Sequence, residues 1–547
     1  MADNLHSSAQ PVTLRPYSRL SFHKIRYALP LHSLAQPTYA LPIDILRVLV
    51  GLVALIYFLQ TFLDARDFSA HDGLIDHELS QSIFWFTRIG LFHPGLGLNF
   101  FQVIFLIACL STVPLILGYR VKLFATILYV IAVCTYRWNF LVMYVDDSIV
   151  HLALFWMLLM PVGRTLVLSD WLADRSGAWS RWKYEKVPGV AVRCLLWNLA
   201  LIYLVAGLWK WTSPMWRDGT ALYVILKLPI SLSPDFWGPQ HLPVLKFFNY
   251  CALIMEPLFP LIFILRKGHR LKYALLLPLL GFHLGTLATL KIPFANLICI
   301  AALVVPFGGE LMHRLNRKRP LATSALQAPL RFGFSSLVAL IAVSALTLAM
   351  LSSAILPHWR TPPRDEMPGV FAGPNSLALV MGDASKHAPP VSSFKWEGLE
   401  NVQWTFFSLL WCMGIAQQYQ LFNWIDDRNY SYRYEIIESE MGKPIREVQP
   451  DATFPRSTRG SLLQLYLHGI TWMRIPSERQ HDLRATLEQR FARRHCQQFQ
   501  PGGDVTIYST VERIYPVANE IVEDRVLLMS FRCQRGEPQM QVMNLDP

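Results

Sequence analysis

Lys210 stands in AGLWKWTSPMWRDGTAL, residues 206–222, near the end of an apolar run. Small Ala206 and Gly207 precede it, and Trp209 and Trp211 flank it. A lysine so placed is either a snorkelling anchor between interfacial tryptophans or a desolvated amine whose neutral form can act as a base. Tyr203, Ala206 and Lys210 share one helical stripe, with Gly207 beside it. The small residues leave room below the amine for a neighbouring group or a ligand.

Other polar groups sit in comparable places. Asp147 and His151, in MYVDDSIVHLALFW, are an i, i+4 pair one turn apart. His283 lies in LLGFHLGTL, Glu256 precedes Pro257, and Arg137 and Asn139 close another apolar run. Ionisable residues inside a membrane usually face a cavity or each other. Lys210, Asp147, His151, His283 and Arg137 all come out in the outer half of the bilayer, which points to one shared polar pocket. Each also has a plainer reading. A lone intramembrane histidine can be a satisfied packing residue, and Arg137 can be an interfacial anchor. Asp146 can cap the helix that follows it. Glu256 can bond backbone groups freed by a proline kink. Arg47, near an inner end, can snorkel. Asp147 and His151 lack a third ligand at helical spacing, so no metal is expected. No HExxH, Walker or strand-to-helix GxGxxG motif occurs.

The elements that must position these groups are membrane spans. The 547 residues are 53% hydrophobic and only 16% charged, against about 25% charged in soluble domains. Nine apolar runs read as spans: 41–63, 98–118, 122–143, 148–168, 193–212, 245–265, 271–290, 293–311 and 333–356. Basic residues gather before span 1 and between spans 2 and 3, 4 and 5, 6 and 7, and 8 and 9. The alternate loops carry Asp64, Asp67, Asp72, Asp76, Glu78, Asp146 and Asp147. The positive-inside rule puts the N-terminus in the cytoplasm and the C-terminus outside. The net charge of +12 belongs to that pattern rather than to a nucleic-acid partner. MADNLHSSAQ has no short apolar region with a cleavage site, so no cleaved signal peptide is expected.

The fold expected is a polytopic α-helical membrane protein of about nine transmembrane helices with a C-terminal extracytoplasmic α+β, β-rich domain. Residues 1–40 form a cytoplasmic N-terminal segment and 41–357 the transmembrane domain. Residues 358–429 form a Pro/Gly-rich linker with an interfacial or re-entrant piece at 404–424, and 430–547 the external domain. Within that domain YRYEIIESE, LQLYLHGITWM, DVTIYSTVERI and RVLLMSFRC read as strands, and SERQHDLRATLEQRFARRHC as a helix with a capping box. Cys496 and Cys533 could pair if this part faces an oxidising compartment.

The order of these features resembles the bacterial horizontally transferred transmembrane domain proteins, relatives of the vitamin K-dependent gamma-glutamyl carboxylase. The shared pattern is an early Arg in span 1, LGYRVKLFA, RWNFLVMYVDD, YLVAGLWK with a following W-x-D-G, the span 6 Glu-Pro, FH in span 7, and QQYQLF. It covers about residues 41–430. The resemblance implies a membrane-embedded, lyase-type enzyme of the plasma (inner) membrane. In it a buried Lys210 acts as base toward a reduced quinone, a vitamin K-like hydroquinone, with O2 and CO2. Carboxylation of a peptide or small carboxylate on the outer side follows. Lys210, Asp147, His151 and His283 would be catalytic. Arg137, Tyr203, Gly207 and Glu256 would line the cofactor site. One departure stands out: the family's histidine at the head of span 4 falls on Asp147, with His151 one turn below. The competing expectation is a non-enzymatic maturation or export factor, or a lipid-binding scaffold. Membrane lipids are partners in either case.

Overall fold

The computed structural model describes residues 36–71, 73–75, 77–83, 92–93, 95–316, 333–355, 410, 413–415, 430–440, 443–449, 454–467, 477–499, 503–515 and 520–541. The expected linker, and most of the 404–424 piece, lie outside these residues. Helices α1 (Ala40–Leu63), α2 (Leu98–Leu117), α3 (Val121–Trp138) and α4 (Val145–Leu159) come first. They are followed by α5 (Val190–Thr212) and α6 (Leu242–Met255), the latter prolonged by turns to Ile264. Then come α7 (Arg270–Thr289), α8 (Pro293–Ala302, continued by Val304–Asn316) and α9 (Phe334–Ile355).

Eight helices among the described residues are long and apolar enough to cross a membrane. The ninth expected span, 148–168, differs. Its helix α4 has 15 residues, 11 of them buried and none exposed, and is about 22 Å long at 1.5 Å per residue. α4 is the hub of the bundle: α3, α8 and α1 pack around it. Its apolar run serves the protein core, which periodicity cannot tell from a lipid-facing helix. The outer surfaces of α1, α2 and α6 expose Leu52, Ile56, Val103, Leu110, Phe247 and Ile254. An apolar surface this extensive is compatible with a multi-pass membrane protein.

The C-terminal region is a five-stranded antiparallel sheet. β1 (Tyr430–Glu440), β2 (Lys443–Val448), β3 (Asp504–Tyr515), β4 (Glu520–Gln534) and β5 (Glu537–Met540) take the order β2-β1-β3-β4-β5. Two helices accompany it, α10 (Thr458–Leu467) and α11 (Ser477–Phe499). The segment LQLYLHGITWM, expected as a strand, begins inside α10 instead. Leu462, Leu463, Leu465 and Leu467 are all buried there, so a continuous apolar run reflects burial on every side rather than strand alternation. Strands β2 and β5 were not expected; Lys443–Val448 is exposed at all but its last residue and carries little apolar signal. Cys496 and Cys533 form a disulfide that ties α11 to β4.

This region docks directly on the helical half. Lys227, before α6, pairs with Glu512 of β3 at 2.7 Å, and Tyr223 donates to the same carboxylate at 3.2 Å. Ser461 donates to the Pro229 carbonyl at 3.0 Å, and Thr458 donates to that of Lys291. Arg490 donates to the Gly73 carbonyl at 3.1 Å, and Arg494 pairs with Asp67.

Candidate functional site

Lys210 lies in the last turn of α5 and is 3% exposed. Its ammonium pairs with Glu256 at 2.6 Å, also buried. Glu256 starts a 3-10 turn, Glu256–Leu258, where Pro257 breaks the α6 helix. The approach of this turn to α5 depends on Gly207: a Cβ there would stand 2.7 Å from the Pro257 ring. Thus the space left by the small residue receives a neighbouring chain segment, and Gly207 shapes the site by permitting contact. Glu256 spends its charge on Lys210 rather than on backbone groups freed by the kink. The third member is Trp216, whose ring centroid lies 5.1 Å from Nζ. Trp216 is 2% exposed, and its indole N–H has no hydrogen-bond partner among the described residues. A buried donor without an acceptor is uncommon in a native interior.

Asp147 and His151 belong to a second group. Asp147 Oδ2 accepts the Tyr144 N–H at 3.0 Å and caps its own helix. Its Oδ1 accepts from the Tyr57 hydroxyl at 2.7 Å and from Arg459 at 2.8 Å. Arg459 comes from α10, and also lies 3.7 Å from Asp64. His151 faces the Gly414 carbonyl through Nδ1 at 3.3 Å and the Tyr57 oxygen through Nε2 at 3.5 Å. Asp146, expected to cap α4, instead accepts the N–H groups of Phe294 and Ala295 at 3.2 and 2.7 Å. It caps α8, whose unsatisfied first-turn donors need an acceptor.

His283 is in a third group. Asn296 donates through Nδ2 to the Ile292 carbonyl at 2.6 Å, which turns its Oδ1 toward His283. Nδ1 of His283 therefore donates to Oδ1 at 2.7 Å, and Nε2 accepts from the Tyr203 hydroxyl at 2.6 Å. Both ring nitrogens are engaged within the protein. Arg137 is half-buried in the last turn of α3.

Four of the five residues expected to share one pocket fall into three separate groups. Lys210 meets Glu256; Asp147 and His151 meet Tyr57, with Arg459 on Asp147; His283 meets Tyr203 and Asn296. Two small cavities lie in the helical half, and the first adjoins the Asp147–Arg459 group. One, of about 10 Å³, is lined by Thr61, Asp64, Asn139 and Arg459 among others, and suits a single water. The other, of about 20 Å³, is lined by apolar side chains including Leu46, Leu152 and Trp156. Neither is lined by Lys210.

Arg47 does not snorkel. It is fully buried, pairs with Asp44 at 2.9 Å and donates to the carbonyls of Ile116 and Leu166 at 2.8 and 2.9 Å. Sequence reasoning missed Tyr57, Trp216, Asn296 and Arg459. The first three are polar-tipped residues in or beside apolar runs, a visible though weak signal. Arg459 had none.

No family model, curated protein or solved structure matches this chain.

Proposed function

We infer that this chain is a multi-pass membrane enzyme in which Lys210 removes a proton from a weakly acidic, lipid-soluble hydroxyl compound. The quinol class that the family resemblance implies is the substrate type that fits. One observation carries the reading: a buried Lys210–Glu256 pair next to an indole N–H that has no acceptor among the described residues. In a dry site, an ion pair and its neutral counterpart, amine beside carboxylic acid, lie close in free energy. Glu256 can therefore take the ammonium proton and leave a neutral amine as base. Trp216 offers its N–H to the hydroxyl oxygen as that oxygen gains charge. Leu208, Trp211 and Ile254 expose apolar surface close in sequence to the pair, so a ring would approach from the lipid side. A bound quinol would supply redox chemistry with O2, and CO2 would be the partner for carboxylation of a peptide or small carboxylate.

The protein lies in the plasma (inner) membrane, with its N-terminus cytoplasmic and, with α4 crossing inside the bundle as a ninth passage beside the eight long helices, the sheet region outside. Loop charge supports that orientation, and so does the Cys496–Cys533 disulfide, which suits an oxidising compartment. Asp147 holds the helical half to the sheet region through Arg459 and His151 joins α4 to Tyr57 and Gly414, positioning roles in place of the catalytic ones expected, and His283 braces α5 against α7 and α8.

The test is mass spectrometry of lipids that copurify with wild-type and Lys210→Ala protein, followed by quinol-dependent CO2 incorporation. A quinone retained by the wild type and turnover lost in the variant support the enzyme. An active Lys210→Ala variant ends the assignment. The second reading, a non-enzymatic maturation factor or lipid-binding scaffold, is favoured by the saturation of the Asp147 and His283 networks. It expects Lys210→Ala to lower stability with no turnover in the wild type to lose.

A further inference from the structure

We propose that His71, His77 and Glu78 form a binding site for a divalent first-row metal ion, zinc being the ion their donor set fits best. The three residues sit in the segment between α1 and α2. One ligand atom from each lies within 4.8 Å of the others. His71 Nδ1 and Glu78 Oε1 are 3.9 Å apart, and the two imidazole centroids 5.9 Å. Donors around a tetrahedral zinc ion stand about 3.3 Å apart for bonds near 2.0–2.2 Å. Closing the site therefore takes an inward movement on the order of 1 Å, which rotation of exposed side chains supplies.

The three ligands are prepared unequally. His77 is 1% exposed and stacks on Trp138 at 3.8 Å and 14°. Its ring is held in place before any ion arrives. His71 and Glu78 have side chains 63% and 64% exposed, so they can swing onto an ion already held by His77. Two imidazoles and one carboxylate select a borderline-soft ion over calcium or magnesium, which take oxygen ligands. A three-ligand set leaves the fourth position to water.

The position gives the site a consequence. The His71–Glu78 stretch includes Gly73, whose carbonyl accepts from Arg490 of α11, and Asp67 nearby pairs with Arg494 of the same helix. An ion joining His71 to the helix His77–Ile83 would brace the segment on which α11 docks. Metal binding would then stabilise the contact between the sheet region and the helical half.

The experiment uses the full chain in detergent, stripped with a chelator and titrated with zinc chloride by calorimetry. One saturable equivalent is expected, with a rise in Tm. His71→Ala and Glu78→Gln are each expected to weaken binding at least about tenfold, or about 1.4 kcal/mol, while leaving the zinc-free Tm unchanged. His77→Ala should abolish binding; should it unfold the protein through loss of the Trp138 stack, the two exposed variants decide. Lys210→Ala should bind zinc like the wild type, which separates this site from the proposed activity. No saturable binding, or equal affinity in the His71→Ala/Glu78→Gln double variant, overturns the proposal.

Discussion

Two lysine–glutamate pairs are buried in the helical half, and they differ in what surrounds them. Lys272 of α7 pairs with Glu310 in the continuation of α8, with side chains 4% and 3% exposed. Lys210 and Glu256 have the same exposures. Glu310, however, also accepts from the Tyr273 hydroxyl and from the Gly268 N–H at 3.0 Å, and Arg314 backs Tyr273 at 2.8 Å. Among the described residues Glu256 has Lys210 alone for a charged partner, and the N–H of Trp216, whose ring packs on the Lys210 ammonium, has no hydrogen-bond partner. Burial and residue type are matched; saturation is not. A fully bonded pair fixes one geometry, whereas an under-bonded pair keeps donor and acceptor capacity for something else.

The sharpest way to break this comparison is pair replacement. Lys210→Met or Glu256→Leu alone should cost about 3–5 kcal/mol, because each leaves one buried charge. The double variant should recover most of that loss. Lys272→Met/Glu310→Leu should not, since Tyr273 and Gly268 would lose their acceptor. Equilibrium unfolding in mixed micelles measures both series, and equal recovery would remove the distinction. Tyr273→Phe should cost about 1.5–3 kcal/mol, the value of a hydrogen bond to a charged group, read in the same assay. Gly207→Ala should cost about 1–3 kcal/mol by pressing a methyl into the Pro257 ring, and should alter the Lys210 site without touching its charges. Trp216→Phe should cost about 1–2 kcal/mol, from the cavity left by the smaller ring and a weaker contact with the Lys210 ammonium, since its N–H has no hydrogen-bond partner among the described residues to lose. Binding of a hydroxyl ligand should also fall about tenfold; an unchanged affinity would assign Trp216 to packing.

The helical architecture was legible because apolar runs of fixed length leave few alternatives. Eight of the nine expected spans have helices of spanning length. The exception, α4, is as apolar as its neighbours, but its surroundings are protein. The polar residues in the spans were equally visible, and each is buried or half-buried as a cost argument requires. Which one meets which was not visible. Spacing along a helix places Tyr203 and Lys210 on one stripe, yet says nothing of which helix lies opposite. Glu256 and Pro257 were read as a kink, and the kink is what carries the carboxylate to Lys210. The convergence of Asp147 on Arg459 joins residues 312 apart in sequence, beyond any local pattern.

That long separation has a consequence for how the chain is made. Asp147 enters the growing protein early, and Tyr57 can meet it at once. Its only cationic partner among the described residues, Arg459, leaves the ribosome after every one of the nine long helices. Until then the centre of the helical half holds a carboxylate with no counter-charge. The finished sheet region thus delivers the last charge the bundle needs, and a chain cut short before Arg459 would carry a built-in mark of its own incompleteness.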